Sequence, residues 1–202
     1  MNAGGVANTI SARIILESEL ISVEDLHPLL TQFNSYQQLT AAEILEIDLP
    51  ARNRVDALLR CEFFEEKQLR ELACDFTEHT LFVFERRSTH DTGPQRCVDV
   101  ARLYLEGVET LQALQETIVA AIPAVWQFEG TKFISAFEAG LAATFLGYKD
   151  AAETARLVAR HTQRAAHRNL WESRKSNVEP MTGIEREAAW QLKRITKKLF
   201  KI

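Results

Sequence analysis

Histidine serves both as a metal ligand and as an acid–base group near neutral pH, so the histidines are the first candidates for chemistry. The five are His27, His79, His90, His161 and His167. Two metal ligands on one helix need a spacing of three or four residues, whereas His161 and His167 are six apart and point roughly 120° away from each other. No cysteine or carboxylate at ligand spacing completes a site with either of them. The sequence therefore predicts no metal site.

Motifs for other kinds of catalysis do not occur in the sequence. The eight glycines are scattered, and none forms the strand-to-helix loop that cradles a phosphate. Neither a nucleophile elbow nor a His-Glu-x-x-His pattern is present. We therefore expect no catalytic residue, no cofactor and no enzymatic activity. An enzyme whose polar groups converge only in the folded chain stays as an alternative.

The cysteines do not suggest a disulfide framework or a zinc knuckle. Cys61, Cys74 and Cys97 are odd in number, widely spaced and embedded in apolar helical patterns. We expect buried, reduced thiols, which suit a reducing cytoplasm.

The densest group of carboxylates lies in the first half of the chain. Its members are Glu62, Glu65, Glu66, Glu71, Asp75 and Glu78. Residues 1–100 contain nine Lys and Arg against seventeen Asp and Glu, a net charge of −8, while the remaining residues carry +4. A solvated helix face explains such a group without any ligand. The charge asymmetry adds weight to the alternative, an acidic surface that recognises a partner.

The positive half has a pattern of its own. Four arginines recur every four residues, which places them along one side of a helix. They are Arg156, Arg160, Arg164 and Arg168, and Lys193, Lys197 and Lys201 repeat the spacing later. These arginines form either a solvent-exposed ridge or a contact for nucleic acid or an acidic partner. Aromatic residues that could stack on bases are not interleaved with them, and we expect Trp171 and Trp190 to pack in the core or cap it.

Apolar residues at steps of three and four, the mark of amphipathic helices, dominate the chain beyond residue 50. The pattern predicts helices over residues 66–84, 94–105, 111–123, 133–145, 150–170 and 182–199, together with a shorter one that starts at Pro50. Capping-box pairs mark the starts at Asp150 with Glu153 and at Thr182 with Glu185.

The signal is weaker upstream of residue 50. The apolar cluster at residues 14–21 favours a helix only slightly over a strand. Ser22 with Asp25 indicates one helix start, and Thr40 with Glu43 indicates another.

These elements predict an all-α fold, because no run beyond residue 50 alternates strictly between apolar and polar residues. The helix lengths and short connections fit either an irregular multi-helix bundle or stacked antiparallel helical pairs. We expect a single domain over residues 1–202. Residues 1–9 would be frayed, 10–60 would form an N-terminal helical layer, and 61–202 would form the main helical core.

The composition is that of an ordinary globular protein, with 46% apolar and 26% charged residues. The longest apolar run, residues 118–126, is too short to span a bilayer. The first ten residues lack the charged and apolar regions of a secretory signal, so a cytoplasmic location without membrane contact is expected. The net charge of −4 argues against a general nucleic-acid-coating role.

From about residue 69 to residue 200 the chain resembles the all-α immunity proteins of bacterial polymorphic toxin systems. The resemblance rests on the turn Asp-Thr-Gly-Pro-Gln-Arg at residues 91–96, the Asp-Val-Ala-Arg at 99–102 that leads to Gly107, the Ala-rich helices over 136–166, and the Glu-Ala-Ala-Trp-Gln at 187–191. It implies a protein that neutralises a cognate toxin by binding it. It transfers no active-site residue, and the first sixty residues have no counterpart.

Three hypotheses for function follow. The first is a cytoplasmic immunity protein whose six clustered carboxylates occupy a basic groove of a toxin, for example a nuclease. The second is a helical scaffold or nucleic-acid-associated regulator that uses the four arginines. The third is an enzyme, which would need convergent groups such as Asp75 and Glu78 in a pocket.

Overall fold

The structure is a computed structural model that describes residues 8–17, 34, 36–173 and 182–201. Its class is all-α, as predicted. The helices in chain order are α1 (Ala12–Leu16), α2 (Ala41–Glu46), α3 (Ala51–Leu58), α4 (Glu66–Glu85), α5 (Gly93–Leu105), α6 (Leu111–Trp126), α7 (Ile134–Thr144), α8 (Ala151–Glu172) and α9 (Thr182–Phe200). One turn of 3₁₀-helix, Phe145–Gly147, follows α7.

A two-stranded sheet lies before α2 and was not predicted. Strand β1 (Thr9–Ser11) pairs in antiparallel fashion with β2 (Gln38–Thr40), and Ile10 lies opposite Leu39. Both of these apolar residues are buried. Strands of three residues are too short to show an alternating pattern, so the N-terminal region expected to be a helical layer contains a sheet as well. The helix start expected at Ser22 lies outside the described residues.

The predicted helix starts are confirmed at two places. Thr40 and Glu43 form a full capping box, and the hydrogen bonds from the Thr40 backbone and side chain lower the pKa of Glu43. Asp150 accepts a hydrogen bond from the backbone N–H of Glu153 at the start of α8.

Glu185 was expected to belong to a capping box of its own helix, but its carboxylate also reaches another helix. It accepts hydrogen bonds from the backbone N–H of Ala51 at 3.0 Å and from Arg52 at 3.2 Å. The residue at the N-cap of α3 is Pro50, which has no side-chain acceptor. Glu185 supplies that missing cap from α9, and the acidic group also suits the positive end of the α3 dipole.

Helix α6 was expected to end at Pro123 and instead continues to Trp126. Proline removes one backbone donor and pushes against the preceding turn. Only one turn of α6 follows Pro123, and the proline itself is exposed. The helix therefore tolerates a proline at this position.

The core is built around α7, whose small residues allow its neighbours to come close. Ala136, Ala139, Ala142 and Ala143 are buried there against α4, α6 and α8. A Cβ atom on Gly140 would lie 2.8 Å from Cγ2 of Val125 in α6, so a larger residue here would force the Val125 side chain to move.

Helix α9 packs on α8 through a buried polar layer as well as through apolar residues. The amide nitrogen of Gln191, a fully buried residue, donates to Thr162 Oγ1 at 2.7 Å and to the carbonyl oxygen of Ala159 at 3.2 Å. Its amide oxygen accepts a hydrogen bond from Gln163 at 2.8 Å. Gln191 needs these partners, because leaving one of its buried polar groups unpaired would destabilise the fold by about 1–3 kcal/mol.

Helices α4 and α8 run in the same direction, and α9 runs opposite to both. At the start of α4, Arg70 bonds the residues that precede α8, and beyond the end of α4, Arg87 lies 4.0 Å from Glu172 at the end of α8. The starts of α4 and α8 therefore share one end of the molecule, and their last turns share the other.

The close contact between α8 and α9 at Gly183 gives a test of this packing. A Cβ atom at this position would lie 2.5 Å from the Cα atom of His167, so the backbone of one helix would have to move. We expect Gly183→Ala to lower the free energy of unfolding by about 1–3 kcal/mol in urea denaturation. The control is Ala189→Ser, at an exposed position of α9. This substitution should change the free energy of unfolding by no more than about 0.5 kcal/mol. Equal stability of the Gly183 variant and the wild type would contradict the packing.

Candidate functional site

Three of the six clustered carboxylates form ion pairs with residues of other helices. Asp75 accepts a hydrogen bond from Arg102 at 3.0 Å and one from Arg194 at 2.7 Å. Glu78 accepts two bonds from Arg102, at 2.9 and 2.6 Å. Glu71 forms an ion pair with Lys198.

These ion pairs join acids of the first half of the sequence to bases of the second half. The hydrogen bonds to Glu78 and then to Asp75 raise the pKa of Arg102, so its guanidinium stays charged. The charge asymmetry of the sequence is therefore partly cancelled along α4. Asp75 and Glu78 share one guanidinium and do not form the carboxylate pair that an acid–base enzyme would use.

The other three carboxylates are exposed and lie at the start of α4. Glu62 lies in the α3–α4 connection, Glu65 is the N-cap residue of α4, and Glu66 begins that helix. The start of α8 adds the exposed Asp150 and Glu153 to the same end of the molecule. We call these five residues the acidic end.

An open groove of about 560 Å³ lies at the acidic end. It is lined by Cys61, Glu66, Leu69, Tyr148, Lys149, Asp150, Ala151, Ala152 and Glu153. Leu69 and Ala151 are buried and provide an apolar base, whereas the ring of Tyr148 packs edge-on against Phe145 and keeps 44% of the residue exposed. The groove thus combines an apolar base, an exposed aromatic ring and a predominantly acidic rim.

Arg70 is a buried residue that fixes the segments lining this groove. It is 5% exposed and donates to the carbonyl oxygens of Tyr148 at 2.9 Å and Lys149 at 2.7 Å. It also donates two hydrogen bonds to one carboxylate oxygen of Glu66, at 3.0 and 2.9 Å. One buried guanidinium therefore fixes the α7–α8 connection against the first turn of α4.

A second groove, of about 360 Å³, lies on the other side of Cys61. Its lining includes Phe63, Gln68 and Lys198. The expectation that all three cysteines are buried is wrong for Cys61, which is exposed. The reason is local: Cys61 lies in a turn after α3 and not on the buried side of a helix.

The four arginines of α8 are divided between two environments. Arg156 donates to the carbonyl oxygen of Leu59 at 3.0 Å, and Arg160 donates two hydrogen bonds to Asp56 at 3.2 and 2.7 Å. These contacts with α3 leave both arginines partly buried, whereas Arg164 and Arg168 are exposed. Burial, followed by the charge of Arg156, lowers the pKa of the neighbouring Arg60. The ridge is therefore exposed only in its second half.

Two histidines pair with glutamates in a way that the sequence did not reveal. Nδ1 of His79 lies 3.0 Å from the buried carboxylate of Glu187, and the ring of Trp190 stacks on the imidazole at 3.6 Å. Nδ1 of His161 lies 2.6 Å from Glu138. Carboxylate–imidazole pairs can serve acid–base chemistry. Neither pair lines the two grooves, and each joins two helices of the core, so we assign both a structural role.

The two tryptophans, which were expected to pack in the core or cap it, differ from each other. Trp190 packs between His79 and Phe76 as expected. Trp171 is 71% exposed, which makes the core assignment wrong for that residue.

Among the residues that the structure describes, two kinds of feature are absent. No group of three His, Cys, Asp or Glu side chains is arranged to hold a metal ion. No helix among them is long and apolar enough to cross a membrane.

Comparison with protein-family models, with curated proteins and with solved structures found no match. The assignment of a function therefore depends on the geometry and on the resemblance noted from the sequence.

The contrast between Cys61 and the other cysteines gives a direct test of the site geometry. Burial raises the pKa values of Cys74 and Cys97 to about 12, from a usual value of 9.0. Both thiols thus stay protonated in the folded state, and the stability that they confer is lost as the pH rises from 9.0 toward 12.

We expect iodoacetamide at about pH 8 to modify Cys61 alone in the native protein and all three cysteines in denaturant, as measured by mass spectrometry. The Cys61→Ser variant serves as the control and should take up no label while folded. Rapid labelling of Cys74 or Cys97 in the native protein would contradict the described core.

Proposed function

We propose that the protein binds and neutralises a positively charged partner protein, as an immunity protein does with its cognate toxin. The observation that carries the proposal is the groove at the acidic end, where carboxylates surround an apolar base and an exposed tyrosine. This combination supports protein binding because apolar and aromatic groups provide most of the affinity, while charged rims govern encounter and partner choice.

The charge at this end favours a basic partner. Glu62, Glu65, Asp150 and Glu153 are exposed, and none of them forms an ion pair within the described residues. Arg60, Lys67 and Lys149 are close to these residues in sequence and offset part of that negative charge. Complementary fields of this kind raise association rates and lose their effect at high salt.

Tyr148 is the residue best placed to anchor a partner in the groove. Its backbone carbonyl oxygen is held by Arg70, and its ring is supported by Phe145, so little side-chain freedom remains to be lost on binding. Preorganised aromatic side chains of this kind recur as the strongest contributors to protein interfaces.

A nuclease toxin is the partner class that fits these features. The substrate groove of a nuclease has to be basic in order to hold phosphates, and an acidic protein surface can occupy such a groove and exclude the nucleic acid. Glu71, Asp75 and Glu78 do not belong to the proposed surface, because their carboxylates stabilise the contacts of α4 with α5 and α9.

The proposal is tested with the product of the adjacent reading frame, since immunity proteins are typically encoded beside their toxins. The two proteins are co-expressed and purified, and their association rate is measured by biolayer interferometry at low and high salt. We expect a stoichiometric complex that suppresses the activity of the partner. Absence of a complex with the adjacent product would overturn the proposal.

Charge reversal at the acidic end should weaken that complex. For Glu62→Lys with Glu153→Lys we expect the association rate at low salt to fall about tenfold or more, because both residues belong to the acidic end and Glu153 lines the groove. The matched control is Glu106→Lys with Glu109→Lys, two exposed glutamates near the end of α5. An equal loss in both variants would show that net charge alone matters and would contradict a site at the groove.

A further inference from the structure

The end of the molecule opposite the acidic groove carries cations and aromatic rings together. Trp171 is 71% exposed near the end of α8. At about 100° per residue, its side chain lies about 20° from Arg164 and about 60° from Arg168 around the helix axis. Both arginines are exposed. The exposed half of the arginine ridge therefore ends at an indole ring.

Residues from the turn after α4 and from the turn before α7 extend this surface. The guanidinium of Arg87 lies 4.3 Å from the centre of the Phe133 ring, and Nζ of Lys132 lies 5.2 Å from the same ring. Arg87 is also 4.0 Å from Glu172, the residue that follows Trp171. Three separate segments thus meet at the end of α8.

Glu172 is the carboxylate next to Trp171 in sequence, and it is engaged within the protein. It is mostly buried and accepts hydrogen bonds from the backbone N–H and the hydroxyl of Ser135, at 2.8 and 2.7 Å. Arg164 and Arg168 form no ion pair within the described residues, in contrast to Arg160, which bonds Asp56. We call Arg87, Lys132, Arg164, Arg168 and Trp171 the basic end.

Spacing and chemistry decide which ligand fits. Arg164 and Trp171 are about 10 Å apart along the helix, a length comparable to about three stacked nucleotides. Single-stranded nucleic acids bind where cations follow the phosphates and exposed aromatic rings stack on the bases. The bases of a double helix are already stacked on one another, so a duplex presents no free base on which an exposed indole could stack. An acidic peptide would use the cations but has no base to stack on the ring.

We propose that the basic end binds single-stranded nucleic acid, with Trp171 stacked on a base and the four cations in contact with neighbouring phosphates. This proposal does not depend on the acidic groove, because the two surfaces lie at opposite ends of α4 and α8. The sequence showed no aromatic residue interleaved with the four arginines of α8. The structure adds Trp171 to them, three residues after Arg168.

The test is fluorescence anisotropy of the full chain with a fluorescein-labelled oligothymidylate of about twelve nucleotides at low salt, against a duplex and a polyglutamate of equal charge. We expect the single strand to bind best. Trp171→Ala should weaken its binding by about five- to 150-fold, the loss of one stacking contact, whereas Trp171→Phe should retain most of it. Because Trp171 is exposed, both variants should melt at the wild-type temperature.

The arginines are tested with a charge-matched pair of variants. Arg164→Gln with Arg168→Gln should weaken single-strand binding and reduce the slope of log affinity against log salt by about 1.4, as expected for two phosphate contacts. Lys67→Gln with Lys149→Gln removes two positive charges at the acidic end and should change neither quantity. No binding of the oligonucleotide at low salt would overturn the proposal. Equal binding of the polyglutamate, or a Trp171→Ala variant with wild-type affinity, would also overturn it.

Discussion

Helix α9 is joined to α8 by buried amide and hydroxyl groups and to α4 by ion pairs, and this double attachment fixes the arrangement of charge in the protein. Gln191 is fully buried and can satisfy its amide only when α9 lies in one register on α8. In that register Arg194 reaches Asp75, Lys198 reaches Glu71, and Glu187 reaches His79. The acids in the middle of α4 therefore serve the fold.

The charges that remain exposed are sorted by the ends of the helices. Glu65, Glu66, Asp150 and Glu153 lie at the starts of α4 and α8, whereas Arg87 follows the end of α4 and Arg168 precedes the last turn of α8. Negative groups at helix N-termini and positive groups at C-termini are favourable for the helix dipole in any protein. Because α4 and α8 run in the same direction, this preference accounts for the acidic residues at one end of the molecule. Arg87 and Arg168 lie toward the other end, outside the last turns of these helices.

The sequence predicted local structure well because helical periodicity and capping are local properties. The apolar spacing of α4 and the Thr40–Glu43 capping box were both readable from a few neighbouring residues. Contacts between distant segments could not be predicted in this way. Asp75 and its partner Arg194 are 119 residues apart, and no spacing rule connects them. The exposure of Trp171 and the short sheet were missed for the same reason, because burial and strand pairing are set by distant segments.

The most direct measurement is a double-mutant cycle on Asp75→Asn and Arg194→Gln, with free energies of unfolding from urea denaturation at low salt. If α9 is held on α4 in the described register, the double variant should be less destabilised than the sum of the single variants, by about 0.5–1 kcal/mol, and salt should reduce the difference. Strictly additive losses would show that the two side chains do not interact. Asp75 would then be held by Arg102 alone, and the described register of α9 on α4 would be wrong.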